Sequence, residues 1–215
     1  MLKLFEPTTT LVIAGSWNPD ILSPPWVAVQ AMGLQVKPDF AVTARLALGN
    51  PQQRPTFGFE GIEYVPGRNT LTFNFDPNSV DSVCKAVSTA TKILKLLSHT
   101  PVSGFGFNFK FRIENPVAGL LETFSFAVTP PSFLDDDDAV AVARKWVAGV
   151  TAHGSLITTT VSLEGGNVVI NTNSHFEVGS ATVAADRLAI DGLFDQVKKD
   201  ALAIVNGLHN LGEPQ

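Results

Sequence analysis

The residues best able to act as metal ligands or nucleophiles are few and scattered. His99, His153, His175 and His209 fall after a predicted helix, in a hairpin loop, after a strand and at a helix end. No two stand at the i, i+4 spacing that would place paired imidazoles on one face of one element. Cys84 is the only cysteine, which excludes an intrachain disulfide and a cysteine-based zinc site. It lies among Val80, Val83 and Val87 at helical spacing, so a buried, inert thiol is expected. There is no Gly-x-Ser-x-Gly, no Gly-x-x-x-x-Gly-Lys-Ser/Thr, and no Gly-x-Gly-x-x-Gly at a strand-to-helix turn. These absences favour a non-catalytic protein, with no catalytic residue, cofactor or metal assigned. Active sites are spatial, so residues that meet only on folding lie beyond such motifs.

Asp135-Asp136-Asp137-Asp138 is the densest charge run. A calcium loop spaces its ligands around a glycine turn, which a plain aspartate run lacks, so a solvated loop or helix start is expected. Gly104 and Gly106 sit inside an alternating strand pattern rather than a phosphate loop. Their missing side chains leave room for another backbone or a flat ligand.

The candidate binding residues lie on the polar face of predicted strands. In Gly104–Ile113, Phe105, Phe107, Phe109, Phe111 and Ile113 share one parity; Asn108, Lys110 and Arg112 share the other. Alternate strand residues point to opposite faces, so this stretch is a central strand with an apolar face and a polar, partly cationic one. Arg45 and Thr43 have the same solvent parity on their own strand, and Thr72, Asn74, Thr158, Thr160 and Ser162 extend a neutral polar surface. If the strands are adjacent, Lys110, Arg112 and Arg45 make a basic patch able to attract phosphate groups or an acidic partner. Arg144 shares the parity of Val140, Val142 and Trp146 and falls off that face.

The elements that would position these residues read clearly for the most part. Strands are expected at 9–16, 39–48, 57–64 (with a bulge at Gly61), 70–75, 104–113 and as a hairpin over 155–172. Asn18-Pro19 and Asn115-Pro116 each open a short helical region, and Ser23-Pro24-Pro25 repeats the start signal before Trp26–Met32. Phe124–Val128 is irregular or a short strand. Asp76-Pro77-Asn78-Ser79 caps a helix to about Leu97 with an apolar stripe of Val80, Val83, Val87, Leu94 and Leu97. Asp186–His209 is the second long helix, with Ile190, Leu193, Phe194, Val197, Ala201, Ile204 and Leu208 as its stripe. Ala139–Gly149 suits either a helix or a strand.

The order strand, Asn-Pro helix, strand, hairpin, long helix occurs twice. Asn18-Pro19 and Asn115-Pro116 are offset by 97 residues, Ala44-Arg45 and Ala143-Arg144 by 99, and Gly67 and Asn69 from Gly165 and Asn167 by 98. The common offset predicts an internal duplication, residues 1–98 and 99–215, and favours a strand at 139–147. The fold class expected is α+β. An antiparallel sheet of about eight strands carries two long amphipathic helices on one face, the halves forming one compact domain.

The 215 residues are ample for a buried core. Charged residues are 16%, below the ~25% typical of soluble domains, which favours a protein partner or self-association. A net charge of −5 does not favour nucleic acid or anionic membrane. The N-terminus has no signal-peptide features, and no apolar run reaches a membrane span, so a cytoplasmic protein is expected. The leading expectation is a non-catalytic binding or assembly protein acting through an exposed sheet face or edge, as a homo-oligomer or with a protein partner. The alternatives are nucleic-acid or phosphate-ligand binding on the basic face, and an apolar-ligand carrier with a cavity between sheet and C-terminal helix.

Overall fold

Val102–Ile113 forms the longest strand among the described residues, and its alternation is realised in burial: Phe105, Phe107, Phe109, Phe111 and Ile113 are all at most 2% exposed. Each such side chain removed from water contributes about 1.5–3 kcal/mol, so this strand anchors the core. The structure, a computed structural model, describes residues 2–4, 9–35, 41–46, 54–114, 144–150, 154–164 and 167–210. The expectations for Asn115-Pro116, Phe124–Val128, Asp135–Asp138, His153, Gly165-Gly166 and the ends of the 39–48 strand lie outside the described residues.

The strands are β1 (Leu2–Leu4), β2 (Thr9–Gly15), β3 (Thr43–Arg45), β4 (Thr56–Phe59), β5 (Ile62–Pro66), β6 (Thr70–Phe75), β7 (Val102–Ile113), β8 (Arg144–Val150), β9 (Ser155–Glu164) and β10 (Asn167–Glu177). All pairings are antiparallel, in the order β3-β4-β5-β6-β2-β7-β10-β9-β8, with β1 beside the far end of β7. The expected α+β antiparallel architecture is therefore present, with ten strands among the described residues rather than about eight. One source of the difference is local. Glu60 and Gly61, expected as a bulge, form a two-residue turn with φ of 53° and 80°. Positive φ at both positions matches the twist of paired strands and closes β4 and β5 into a hairpin.

The strand order is symmetric about the β2–β7 seam. β6, β5 and β4 extend from β2, as β10, β9 and β8 extend from β7. This order alone does not confirm an internal duplication. Residues 144–150 are a strand, paired with β9, which resolves the described part of the ambiguous 139–149 segment.

The helices are a short α1 (Pro24–Trp26) that continues as a π turn (Val27–Ala31), then α2 (Val80–Leu96), α3 (Ala181–Leu188) and α4 (Leu193–Asn210). Proline stands at the start of α1, where a missing N–H costs nothing. Asn18-Pro19 opens a turn rather than a helix: the Asn18 side chain accepts from the Asp20 N–H at 3.1 Å. Ser79 caps α2 by accepting from the Ser82 N–H at 3.2 Å, and Ser180 caps α3 by accepting from Val183 N–H at 3.2 Å. The single C-terminal helix expected over 186–209 is two helices. The chain breaks between Ala189 and Gly192, where Gly192 takes φ 72°, and Ile190 is left 56% exposed instead of in the stripe.

One core cluster joins the inward face of the sheet to these helices. Phe194 on α4 is its aromatic keystone, with ring centroids 5.7 Å from Phe75, 5.4 Å from Phe107 and 5.9 Å from Phe109. Tyr64 is fully buried on β5 and donates its hydroxyl to the Leu22 carbonyl at 3.1 Å. Burial pushes its phenol well above the ordinary tyrosine value.

Candidate binding surfaces

The face of the sheet opposite the helices carries a row of polar side chains in direct register. Glu63 stands opposite Asn74, Asn74 opposite Thr10, Thr10 opposite Asn108, Asn108 opposite Asn173, and Asn173 opposite Thr158. Six strands therefore contribute to one line about 24 Å long, from the ~4.8 Å strand spacing. Its centre is hydrogen-bonded across strands. Asn173 Nδ2 donates to Asn108 Oδ1, and Asn108 Nδ2 donates to Thr10 Oγ1 at 3.0 Å. Amides and hydroxyls both donate and accept, so from Asn74 to Thr158 the row offers hydrogen bonds of either sense without net charge.

A second row runs alongside, with Lys110 opposite Asn171 and Asn171 opposite Thr160. Between the two rows lies a shallow depression of about 300 Å³ lined by Thr10, Asn108, Lys110, Thr158, Asn171 and Asn173. Lys110 and Arg112 are half-buried and each is engaged within the protein. Arg112 stands opposite Val169, which is fully buried.

The sequence-selected residues share this face but do not form one patch. Thr43 stands opposite Gly58, itself opposite Glu63, so it extends the same row. Arg45 pairs with Glu63 as an ion pair. Both lie on β3, five strand spacings from β7, or about 24 Å from Lys110 and Arg112. Arg45 therefore neutralises a carboxylate at the sheet edge instead of adding to a central positive field. Asn173, Asn171 and Thr10 were the members missed. Their parity was legible, but their register with Asn108 depends on pairings 65 and 98 residues away in the chain.

The two strand glycines leave room for another backbone, the first of the two uses expected, and for side chains of the same neighbouring strand. A Cβ on Gly104 would lie 2.5 Å from His175 Cε1 and 3.0 Å from the Phe176 carbonyl oxygen. A Cβ on Gly106 would lie 3.1 Å from the Ser174 carbonyl oxygen and 3.4 Å from Asn173 Oδ1. The space is thus taken by β10 itself, through the Ser174 and Phe176 carbonyls and the Asn173 and His175 side chains.

On the helical side, a groove of about 700 Å³ runs between α2 and the α3–α4 turn, with Phe107 at its floor. Val80, Val83, Cys84 and Val87 form its α2 wall. The sequence placed Val80, Val83 and Val87 in the core; Val80 is in fact 79% exposed and the other two only partly buried. The face that α2 buries is Ser82, Ala86, Thr89, Ala90, Ile93 and Leu94. Small side chains let the helix sit close to the sheet and to Ala181, Ala184 and Ala185 of α3; of the expected stripe Leu94 is fully buried, Val83, Val87 and Leu97 reach the core only in part, and the valines line the groove. Cys84 is consequently exposed, not buried as expected.

Among the described residues there is no cluster of three or more His, Cys, Asp or Glu placed to hold a metal ion. No described helix is long and apolar enough to cross a membrane. No protein-family model matches the chain, and no curated protein matches it significantly.

Proposed function

We propose that this is a non-catalytic binding or assembly protein that engages its partner through the face of its sheet on which no described helix packs. The observation that carries this reading is the in-register row Asn74–Thr10–Asn108–Asn173–Thr158. A polar line crossing five strands, linked through Asn108, is a rigid and uncharged hydrogen-bonding template. Its donors and acceptors are held by backbone ladders rather than by loops, which lowers the ordering cost of binding. A protein surface that presents polar groups at fixed strand spacing suits it, whether from a different chain or a second copy of this one. A cytoplasmic setting is consistent with an exposed, unpaired Cys84.

The same reading takes the two halves as a duplication. In an antiparallel pair of repeats related by a two-fold axis, the residue on the axis faces its own equivalent. Thr10 faces Asn108, 98 residues on, and the repeat's hairpin residues are also offset by 98. The seam thereby supports both the repeat and the location of the binding row at its dyad.

Native mass spectrometry on protein from its own source, with Asn108→Ala/Asn173→Ala beside the wild type, tests the proposal. A complex or oligomer seen with the wild type and lost in the double variant supports it. A strictly monomeric wild type that retains nothing, or a complex indifferent to the double substitution, rejects it. Phosphate-ligand or nucleic-acid binding is the second reading, favoured by Lys110 at the edge of the depression. It requires salt-dependent binding of an oligonucleotide that Arg112→Ala weakens.

A further inference from the structure

We propose that the groove between α2 and the α3–α4 turn binds a fatty acid, with the chain along the valine stripe and the carboxylate at Lys92 and Lys95. Three observations carry this. First, α2 lines the groove with one helical stripe, whose Val83 and Val87 also pack against the rim of the core, and that stripe changes character along its length. It is apolar at Val83, Cys84 and Val87 and cationic at Lys92 and Lys95. At 1.5 Å per residue, Val83 to Lys95 spans about 18 Å, so apolar and cationic ends are separated as in a single-chain amphiphile.

Second, the groove is bridged at the N-terminal end of α2. Lys198 of α4 reaches to the segment before α2, donating to the Pro77 carbonyl at 2.8 Å and to Asn78 Oδ1 at 3.0 Å. Its amine is occupied there, and the residue lines the groove. Third, Lys92 and Lys95 are exposed and make no ion pair among the described residues, so two unpaired amines stand at the other end. Asp191 and Asp195 line the facing wall but are not ion-paired with either lysine. The available charge complementarity is therefore to an anion that reaches the α2 side. A volume of about 700 Å³ falls within the range of small-molecule sites.

Cys84 gives the test a native reporter, being the only thiol in the chain and part of the groove wall. The rate of its alkylation by N-ethylmaleimide, read by intact mass, is measured on the full chain with dodecanoate, dodecanol or dodecylammonium below their micelle concentrations. Dodecanoate is expected to slow alkylation at least about fivefold, saturably, with a single adduct in native mass spectra. Lys92→Glu/Lys95→Glu is expected to weaken dodecanoate by about tenfold or more, equivalent to ~1.4 kcal/mol, and to leave dodecanol unchanged. No protection by dodecanoate, or equal protection by dodecylammonium, overturns the proposal. So does slowing that grows with protein concentration alone, because a second copy would then occupy the groove. Asn108→Ala/Asn173→Ala is expected to bind dodecanoate as the wild type does, so this result and the sheet-face reading stand or fall separately.

Discussion

The Asn108 side-chain amide donates to the Thr10 hydroxyl at 3.0 Å across the seam between β2 and β7, joining residues 98 apart in the chain. The same Asn108 accepts from Asn173 on its other side. One side chain therefore ties three central strands together on the face where no described helix packs.

Asn108→Ala is expected to lower stability by about 0.5–1.5 kcal/mol, the usual net value of a hydrogen bond whose partners can turn to water. Urea denaturation measures it. All three residues are only half-buried, so a loss above about 3 kcal/mol would mean the row is structural before it is functional.

Gly104→Ala is expected to destabilise, reversing the ordinary gain from replacing a strand glycine. The new methyl would meet His175 and the Phe176 carbonyl, and overpacking of this kind costs about 1–3 kcal/mol. Combining it with His175→Ala should recover part of the loss, because the imidazole is the nearer obstacle. Thermal unfolding of the two single variants and the double variant gives the coupling directly.

Phe194→Ala is expected to cost about 3–5 kcal/mol, the range for a buried phenylalanine truncated to alanine. It removes three ring contacts at once, to Phe75, Phe107 and Phe109. Phe109→Asp should abolish folding outright, since it places a carboxylate at a position 1% exposed. Circular dichroism and gel filtration distinguish the two outcomes; a normally folded Phe109→Asp would overturn the assignment of β7 as central.

Alkaline pH should unfold the protein through Tyr64. Its phenol titrates above the unfolded value of about 10, so the folded state holds the proton more tightly. The corresponding stability is fully present below pH ~10 and is lost as pH rises through the folded-state value. Tyr64 is the only tyrosine, so tyrosinate absorbance reports it alone. It should appear together with loss of structure, not before. Tyr64→Phe should remove this alkaline dependence and, by leaving the Leu22 carbonyl without its donor, cost about 1–3 kcal/mol at neutral pH.

Arg45→Ala should change stability by less than about 1 kcal/mol, because its ion pair with Glu63 is exposed on the arginine side. It should also leave partner binding at the central row unchanged, while Asn173→Ala weakens it. Equal effects in a binding titration would place Arg45 within the interface.

Local pattern determined much of this protein. Alternation in 104–113 specified both the strand and its buried face, because side-chain period in a strand is a property of the backbone alone. The Ser79 cap and the polar parity of Asn108, Lys110 and Arg112 were legible for the same reason. Tertiary structure decided what each face meets. The valine stripe of α2 has helical spacing, but the small residues on the neighbouring face, Ala86 and Ala90 among them, allow the closer approach and take the core. Val80 and Cys84 are left exposed along a groove, and Val83 and Val87 only partly buried at its edge. The register that aligns Thr10, Asn108 and Asn173 is likewise set by strand pairs distant in the chain. A face can be read from one strand, but a row across strands exists only once they are paired.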